Sequence, residues 1–186
     1  MESDQYTLSL SSYIDSLQSH IEYLKKVQAP VFKKIPVDCT QMNEDSNYWK
    51  KELENIGINK DSSVLYYLSF DGDNAQLIRN TAEQRKSETS KKHKLALPQI
   101  NKKNLSNILY VGKCNNNFPT RLKYHLGLGG SSTYALNLKH WATNWNFDLH
   151  IASIDFLDRE TEIQYLEQME TALHYSLKPL LGRSGH

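Results

Sequence analysis

SVLYYLSF (residues 63–70) and NILYVGKC (residues 107–114) are the two stretches on which the fold turns. Both are short and rich in β-branched and aromatic side chains, so both read as strands. Between them lies a polar insertion, residues 71–107, which opens on Asp71-Gly72-Asp73, is basic at its centre and carries Pro98 near its end. In a compact domain an insertion this long is expected to be functional or disordered. Downstream, FPTRLKYHLGL reads as a helix with Pro119 at an early position and Gly127 as its stop. SSTYALNLKHWATN follows as a second helix capped at Ser131 or Ser132, and WNFDLHIASIDF (residues 145–156) as a third strand. ETEIQYLEQMETALHYSLKP is a long helix ended by Pro179. This order predicts an α/β (α+β) sandwich, a short central β-sheet flanked by helices, over residues 63–186.

Residues 1–62 read as an N-terminal helical arm. Tyr13, Ile14, Leu17, Ile21, Tyr23, Leu24 and Val27 recur at three- and four-residue steps, predicting a helix over residues 6–28. Pro30 and Pro36 mark APVFKKIPVDCTQMNEDSN as a connector, and NYWKKELENIG reads as a second short helix with Gly57 as its cap.

The net charge of +1 hides a polarity. Residues 1–70 carry −3, residues 71–107 carry +4, residues 108–147 carry +4 with no acid at all, and residues 148–186 carry −4. A basic middle is the footprint expected of a polyanion partner, although a solvated charged face gives the same count. Cys39 and Cys114 are the two cysteines and form no C-x-x-C pair, so neither a disulfide framework nor a cysteine zinc site is expected, and a reducing cytoplasm is the natural setting. No apolar run approaches the length of a membrane span, and no membrane partner is expected.

Taken together, VLYYL, then LYVGKC, then Arg121 with His125 four residues on, then Glu170 before the ending Lys178-Pro179-Leu180-Leu181, resemble the GIY-YIG nuclease superfamily. Val64-Leu65-Tyr66 stands where the family has Gly-Ile-Tyr, and Tyr110-Val111-Gly112 where it has Tyr-Ile-Gly, followed by Lys113. The motifs span Val64 to His186 and occur in the family's order. Two positions depart from the pattern: Val64 replaces the leading Gly, and Gly182 stands where the family usually has Asn. The insertion is also longer than usual there.

The resemblance implies a metal-dependent endonuclease that hydrolyses DNA phosphodiester bonds, with Mg²⁺ or Mn²⁺ held by Glu170. Arg121 corresponds to the helix arginine, suited to holding a phosphate oxygen. Tyr66 would orient or deprotonate the attacking water, with Tyr110 in support. A free tyrosine titrates near pH ~10, so as a base Tyr66 needs a nearby cation, for which Lys113 and His125 are candidates. Glu167, one turn from Glu170, is the rival metal ligand. Lys91, Lys92 and Lys94 in the insertion, with Lys102, Lys103 and Lys123, are candidate DNA contacts. The compact layout is similar to the type II restriction endonucleases of this superfamily, which makes a homodimer an expectation. The alternatives are a repair or mobile-element nuclease and a catalytically silent DNA-binding module.

Overall fold

The computed structural model describes residues 2–26, 30–41, 52, 56–88, 95–130, 133–154 and 159–184. The chain divides into two units, Met1–Val31 and Phe32–His186. The first unit holds helix α1 (Glu2–Lys26). The second holds, in chain order, β1 (Lys33–Asp38), β2 (Ser63–Ser69), α2 (Ala75–Ser87), β3 (Ile108–Cys114), α3 (Phe118–Leu126), a 3-10 turn (Leu138–His140), β4 (Asn146–Ile154) and α4 (Arg159–Leu177). The strands form one sheet in the order β1-β4-β2-β3, with every neighbouring pair antiparallel. This is an α+β fold, and no described helix is long and apolar enough to cross a membrane.

The sheet has two buried faces. Val64, Tyr66, Leu68 and Phe70 alternate onto one, which they share with Phe147, Leu149 and Ile151 of β4. There they meet Ala75, Ile78 and Ala82 of α2 and Phe118, Leu122 and Leu126 of α3. The other face carries Leu65, Val111 and Ala152, and α4 packs on β2 and β3. Burying both faces explains why SVLYYLS is an almost continuous apolar run rather than a clean alternation.

The structure departs from the sequence reading in three places. The connector expected after Pro30 contains β1, so the division falls at residue 31 rather than 62. β1 is an edge strand, where a proline such as Pro36 is tolerated because one side of the strand makes no ladder bonds. The helix expected over SSTYALNLKHWATN is only the 3-10 turn. Its backbone is committed elsewhere: the Ala135 N–H donates to the Ala96 carbonyl (3.2 Å) and the Leu136 N–H to a His125 ring nitrogen (3.2 Å). Asn137 meanwhile adopts the left-handed conformation (φ 52°), which interrupts a right-handed helix.

The third departure is the insertion, part of which is core. α2 buries Ala75, Ile78 and Ala82, and Leu95 and Leu97 are buried beyond it. Lys91, Lys92 and Lys94 lie outside the described residues, as does most of the short helix expected over residues 47–57.

The end of the insertion clamps the segment after α4. Leu180 and Leu181 donate backbone hydrogen bonds to Ile108 and Leu109 of β3 (both 2.9 Å), so this segment runs along the sheet's outer edge. From the insertion, the Asn101 side-chain amide donates to the carbonyls of Pro179 and Gly182 (both 3.0 Å), and that of Asn104 donates to Pro179 (2.9 Å). Asn101→Ala removes two of these bonds and is expected to destabilise the fold by about 1–3 kcal/mol. Urea unfolding checks this: the midpoint should fall with little change in slope, and an unmoved midpoint would refute the clamp.

Candidate active site

The site begins with a strand register. Antiparallel pairing sets Tyr66 opposite Gly112 and Leu68 opposite Tyr110, so both tyrosines lie on the same face of the sheet. Their ring centroids stand 6.2 Å apart. A Cβ on Gly112 would come within 2.7 Å of the Tyr66 hydroxyl and of the Tyr110 ring, closer than any side chain tolerates. Gly182 closes on Tyr110 from the chain's end: its φ is +105°, and a Cβ there would lie 2.9 Å from the ring. The glycine that departs from the family pattern is therefore required by packing against Tyr110.

α3 supplies the polar partners. Arg121 and His125, one helical turn apart, both reach the tyrosines. The Tyr66 hydroxyl lies 2.8 Å from His125 Nε2, and both residues are fully buried. Because the Leu136 N–H donates to His125 Nδ1, that nitrogen must be the acceptor and Nε2 must carry the proton. Nε2–H therefore donates to the Tyr66 oxygen. Burial, with the nearby Arg121 charge, holds His125 well below the usual histidine range, so the ring is neutral. Burial likewise raises the Tyr66 hydroxyl well above the ordinary tyrosine value, and Tyr110 adds to this while Arg121 opposes it.

The cation beside the tyrosines is therefore neither His125, which is neutral, nor Lys113, which pairs with Glu167 at 3.1 Å. It is Arg121, whose charge acts on both hydroxyls and which donates to the Tyr134 carbonyl (3.1 Å).

Above this cluster lies a cleft of about 110 Å³. Four residues expected from the sequence line it: Tyr110, Lys113, Arg121 and Glu170. Tyr66 and His125 sit directly behind Tyr110. Glu170 is buried and faces the cleft, whereas its rival Glu167 is exposed and bound to Lys113. Lys102, Lys103 and Lys123 are exposed and do not line the cleft.

No protein-family model matches the chain, and no curated protein or solved structure does either. The chemistry of the site therefore rests on its own geometry.

Three further residues line the cleft: Gly182, noted in the sequence only as a departure from the family pattern, and Tyr134 and Arg183, neither of which was an expected site residue. Arg183 was legible only as a base directly after the Lys-Pro-Leu-Leu-Gly ending, within an otherwise acidic stretch. A second polar cluster also went unread. Ser63, Arg159 and Glu162 bond one another, and Arg159 also bonds the Asn115 carbonyl, which ties the start of α4 to β2 and to the end of β3. A larger cavity of about 530 Å³ lies beside β1 and β4, walled by Asp38, Asp71 and Asp148 with Phe70, Trp145 and Phe147. Its carboxylates make it a poor place for a phosphate.

Among the described residues no group of three or more His, Cys, Asp or Glu is placed to hold a metal ion. Of the residues lining the cleft, Glu170 is the carboxylate and therefore the hard oxygen donor that could hold a cation there. That suits Mg²⁺, which is often held by one or two carboxylates, with waters and substrate phosphate completing its shell.

His125 also sets a pH dependence. Its folded pKa lies below the unfolded value of about 6.5, so the unfolded chain takes up the extra proton as pH falls. Its contribution is present above that value and is lost below it. In His125→Gln, the stability difference between pH 7 and pH 5 should shrink by up to about 2 kcal/mol relative to the native chain. Paired urea titrations at the two pH values measure this, and equal differences would show that His125 is protonated in the fold.

Proposed function

We propose that this chain is a metal-dependent endonuclease of the GIY-YIG type that hydrolyses DNA phosphodiester bonds. The observation that carries this reading is the convergence of residues scattered over more than 100 positions on one small cleft: Tyr110, Arg121 and Glu170 line it, and Tyr66 and His125 are bonded together directly behind Tyr110. Phosphodiester hydrolysis needs an oriented water, charge neutralisation at the phosphoryl oxygens and a hard ligand for a divalent cation.

Held by Glu170, Mg²⁺ or Mn²⁺ would polarise the phosphoryl group as a Lewis acid. Tyr110 presents its side chain at the cleft, while Tyr66 lies buried behind it. The water-orienting role expected of Tyr66 would therefore fall to Tyr110, with Tyr66 supporting it from behind. His125 donates to Tyr66, and Arg121 places one positive charge beside both. Charge that develops on either oxygen meets a donor already in place, with no solvent to reorganise.

The expected partner is DNA, and the expected assembly is a homodimer, which matches one site per chain to two antiparallel strands. α1 supports this. Leu10, Ile14, Leu17 and Ile21 recur at alternating four- and three-residue steps, and each is at least 44% exposed. Isoleucine at one repeat position with leucine at the other is the pattern of a two-stranded coiled coil. Sedimentation should give twice the 21.5 kDa chain mass for the native protein and the single mass for a Leu17→Asp/Ile21→Asp double variant. A native monomer would exclude the pairing.

Incubation with plasmid DNA and Mg²⁺ or Mn²⁺ tests the activity. Glu170→Ala should abolish nicking, and Tyr66→Phe and Tyr110→Phe should each slow it by about 10²-fold or more. Full activity of Glu170→Ala would remove the ligand assignment, and an intact native chain that cleaves nothing with either metal would remove the nuclease reading.

A further inference from the structure

Three cations line the cleft, and in two of them a terminal nitrogen is already engaged by a protein oxygen. Arg121 donates to the Tyr134 carbonyl and interacts with the hydroxyls of Tyr66 and Tyr110. Its guanidinium is thus turned toward the tyrosines, although the sequence reading gave it to the phosphate. Lys113 is bound by the Glu167 carboxylate. Arg183 differs, because its described hydrogen bond runs from Nε to the side-chain oxygen of Gln99, a neutral amide.

That bond fixes the guanidinium plane through Nε and keeps the two terminal nitrogens available as a fork. A planar fork of this kind matches two oxygens of one phosphate. The backbone around Arg183 is fixed as well. The Gly182 N–H donates to the Gln99 carbonyl (2.8 Å), and Asn101 binds the Gly182 carbonyl (3.0 Å). The Gln99 N–H in turn donates to the Tyr134 hydroxyl (2.9 Å), on another wall of the cleft. Gln99 therefore joins Arg183, Gly182 and Tyr134 through three separate groups.

We infer that Arg183 is the residue that grips the substrate phosphate in the cleft, and that Gln99 is its positioning residue. This rests on the nuclease reading for its substrate, but the phosphate contact it assigns is measurable without cleavage. It divides the work between two arginines. Arg121 governs the tyrosine hydroxyls, and Arg183 neutralises the phosphoryl oxygens. It also gives the long insertion a part in the site, since Gln99 belongs to it.

The test uses the full chain with a fluorescent DNA duplex and, in parallel, supercoiled plasmid with Mg²⁺. Arg183→Ala should lower the cleavage rate by about 100-fold, as loss of a charge-stabilising donor does. It should also reduce the slope of log binding constant against log salt by about one unit, a change that a packing defect would not produce. Arg183→Lys should restore the salt slope but little of the rate, because it keeps the charge and loses the fork. Gln99→Ala should slow cleavage while leaving the salt slope unchanged. An Arg183→Ala protein with native cleavage and native salt slope overturns the inference while leaving the nuclease reading standing. If the native chain cleaves nothing, the nuclease reading fails, and the salt slopes alone decide whether Arg183 holds a phosphate.

Discussion

The absence of a side chain at Gly112 is the constraint from which the site follows. Strand pairing places Tyr66 directly opposite it, and the ends of two tyrosine rings occupy the volume a Cβ would need. With Tyr66 in that position, its hydroxyl is carried to the foot of α3, where His125 meets it at 2.8 Å. Tyr110, two residues before Gly112 and on the same face, is pushed toward the outer edge of the sheet, where Gly182 leaves room for its ring. A cleft bordered by Tyr110 at the edge of β3 is the geometric result.

Burial then decides the charge states. A histidine and a tyrosine enclosed in the core both lose hydration, and each is held in its neutral form. What makes this arrangement stable is that His125 has both ring nitrogens satisfied, one by the Leu136 N–H and one by the Tyr66 hydroxyl. The same bond to Leu136 draws residues 135–137 away from helical pairing. The cost of a lost helix and the gain of a fixed histidine tautomer are thus one event. Arg121 is left as the positive charge beside two polarisable hydroxyls, opposed at Tyr110 by the Glu170 carboxylate, in a medium of low dielectric constant where such charges act more strongly than in water.

The parts of the fold legible in the sequence were those with local causes. SVLYYLSF, NILYVGKC and WNFDLHIASIDF became β2, β3 and β4 because β-branched and aromatic runs suit a buried sheet wherever they pair. Arg121 and His125 were readable as a pair because helical spacing alone puts them on one face. β1 was not readable. Its pairing partner β4 lies more than 100 residues away, and the prolines that punctuate it look like turn signals until its place at the sheet edge is known. α2 escaped notice because it buries only two alanines and one isoleucine along an otherwise polar surface. Gln99 and Arg183 were beyond reach for the same reason as β1: their bond spans 84 residues.

The insertion between β2 and β3 changes meaning in this light. Read along the chain, it is a long basic interruption of a hairpin whose lysines are its most prominent feature. In three dimensions its last residues hold the C-terminal segment against β3 through Asn101, Asn104 and Ser106, whose hydroxyl bonds the Lys178 carbonyl at 2.6 Å. Without that clamp Gly182 would not be fixed against Tyr110, and the wall of the cleft opposite α3 would have no defined position. Side chains that bridge through neutral amides and a hydroxyl to backbone carbonyls contribute no charge of their own. They therefore shape the cleft without altering the balance between Glu170 and the three cations that face it. Two basic residues of the insertion take part in this: Arg79 donates to the carbonyls of Lys102 and Asn104 and Lys86 to that of Pro98, so they brace the loop that carries Gln99, Asn101 and Asn104, while Lys102 and Lys103 stay exposed.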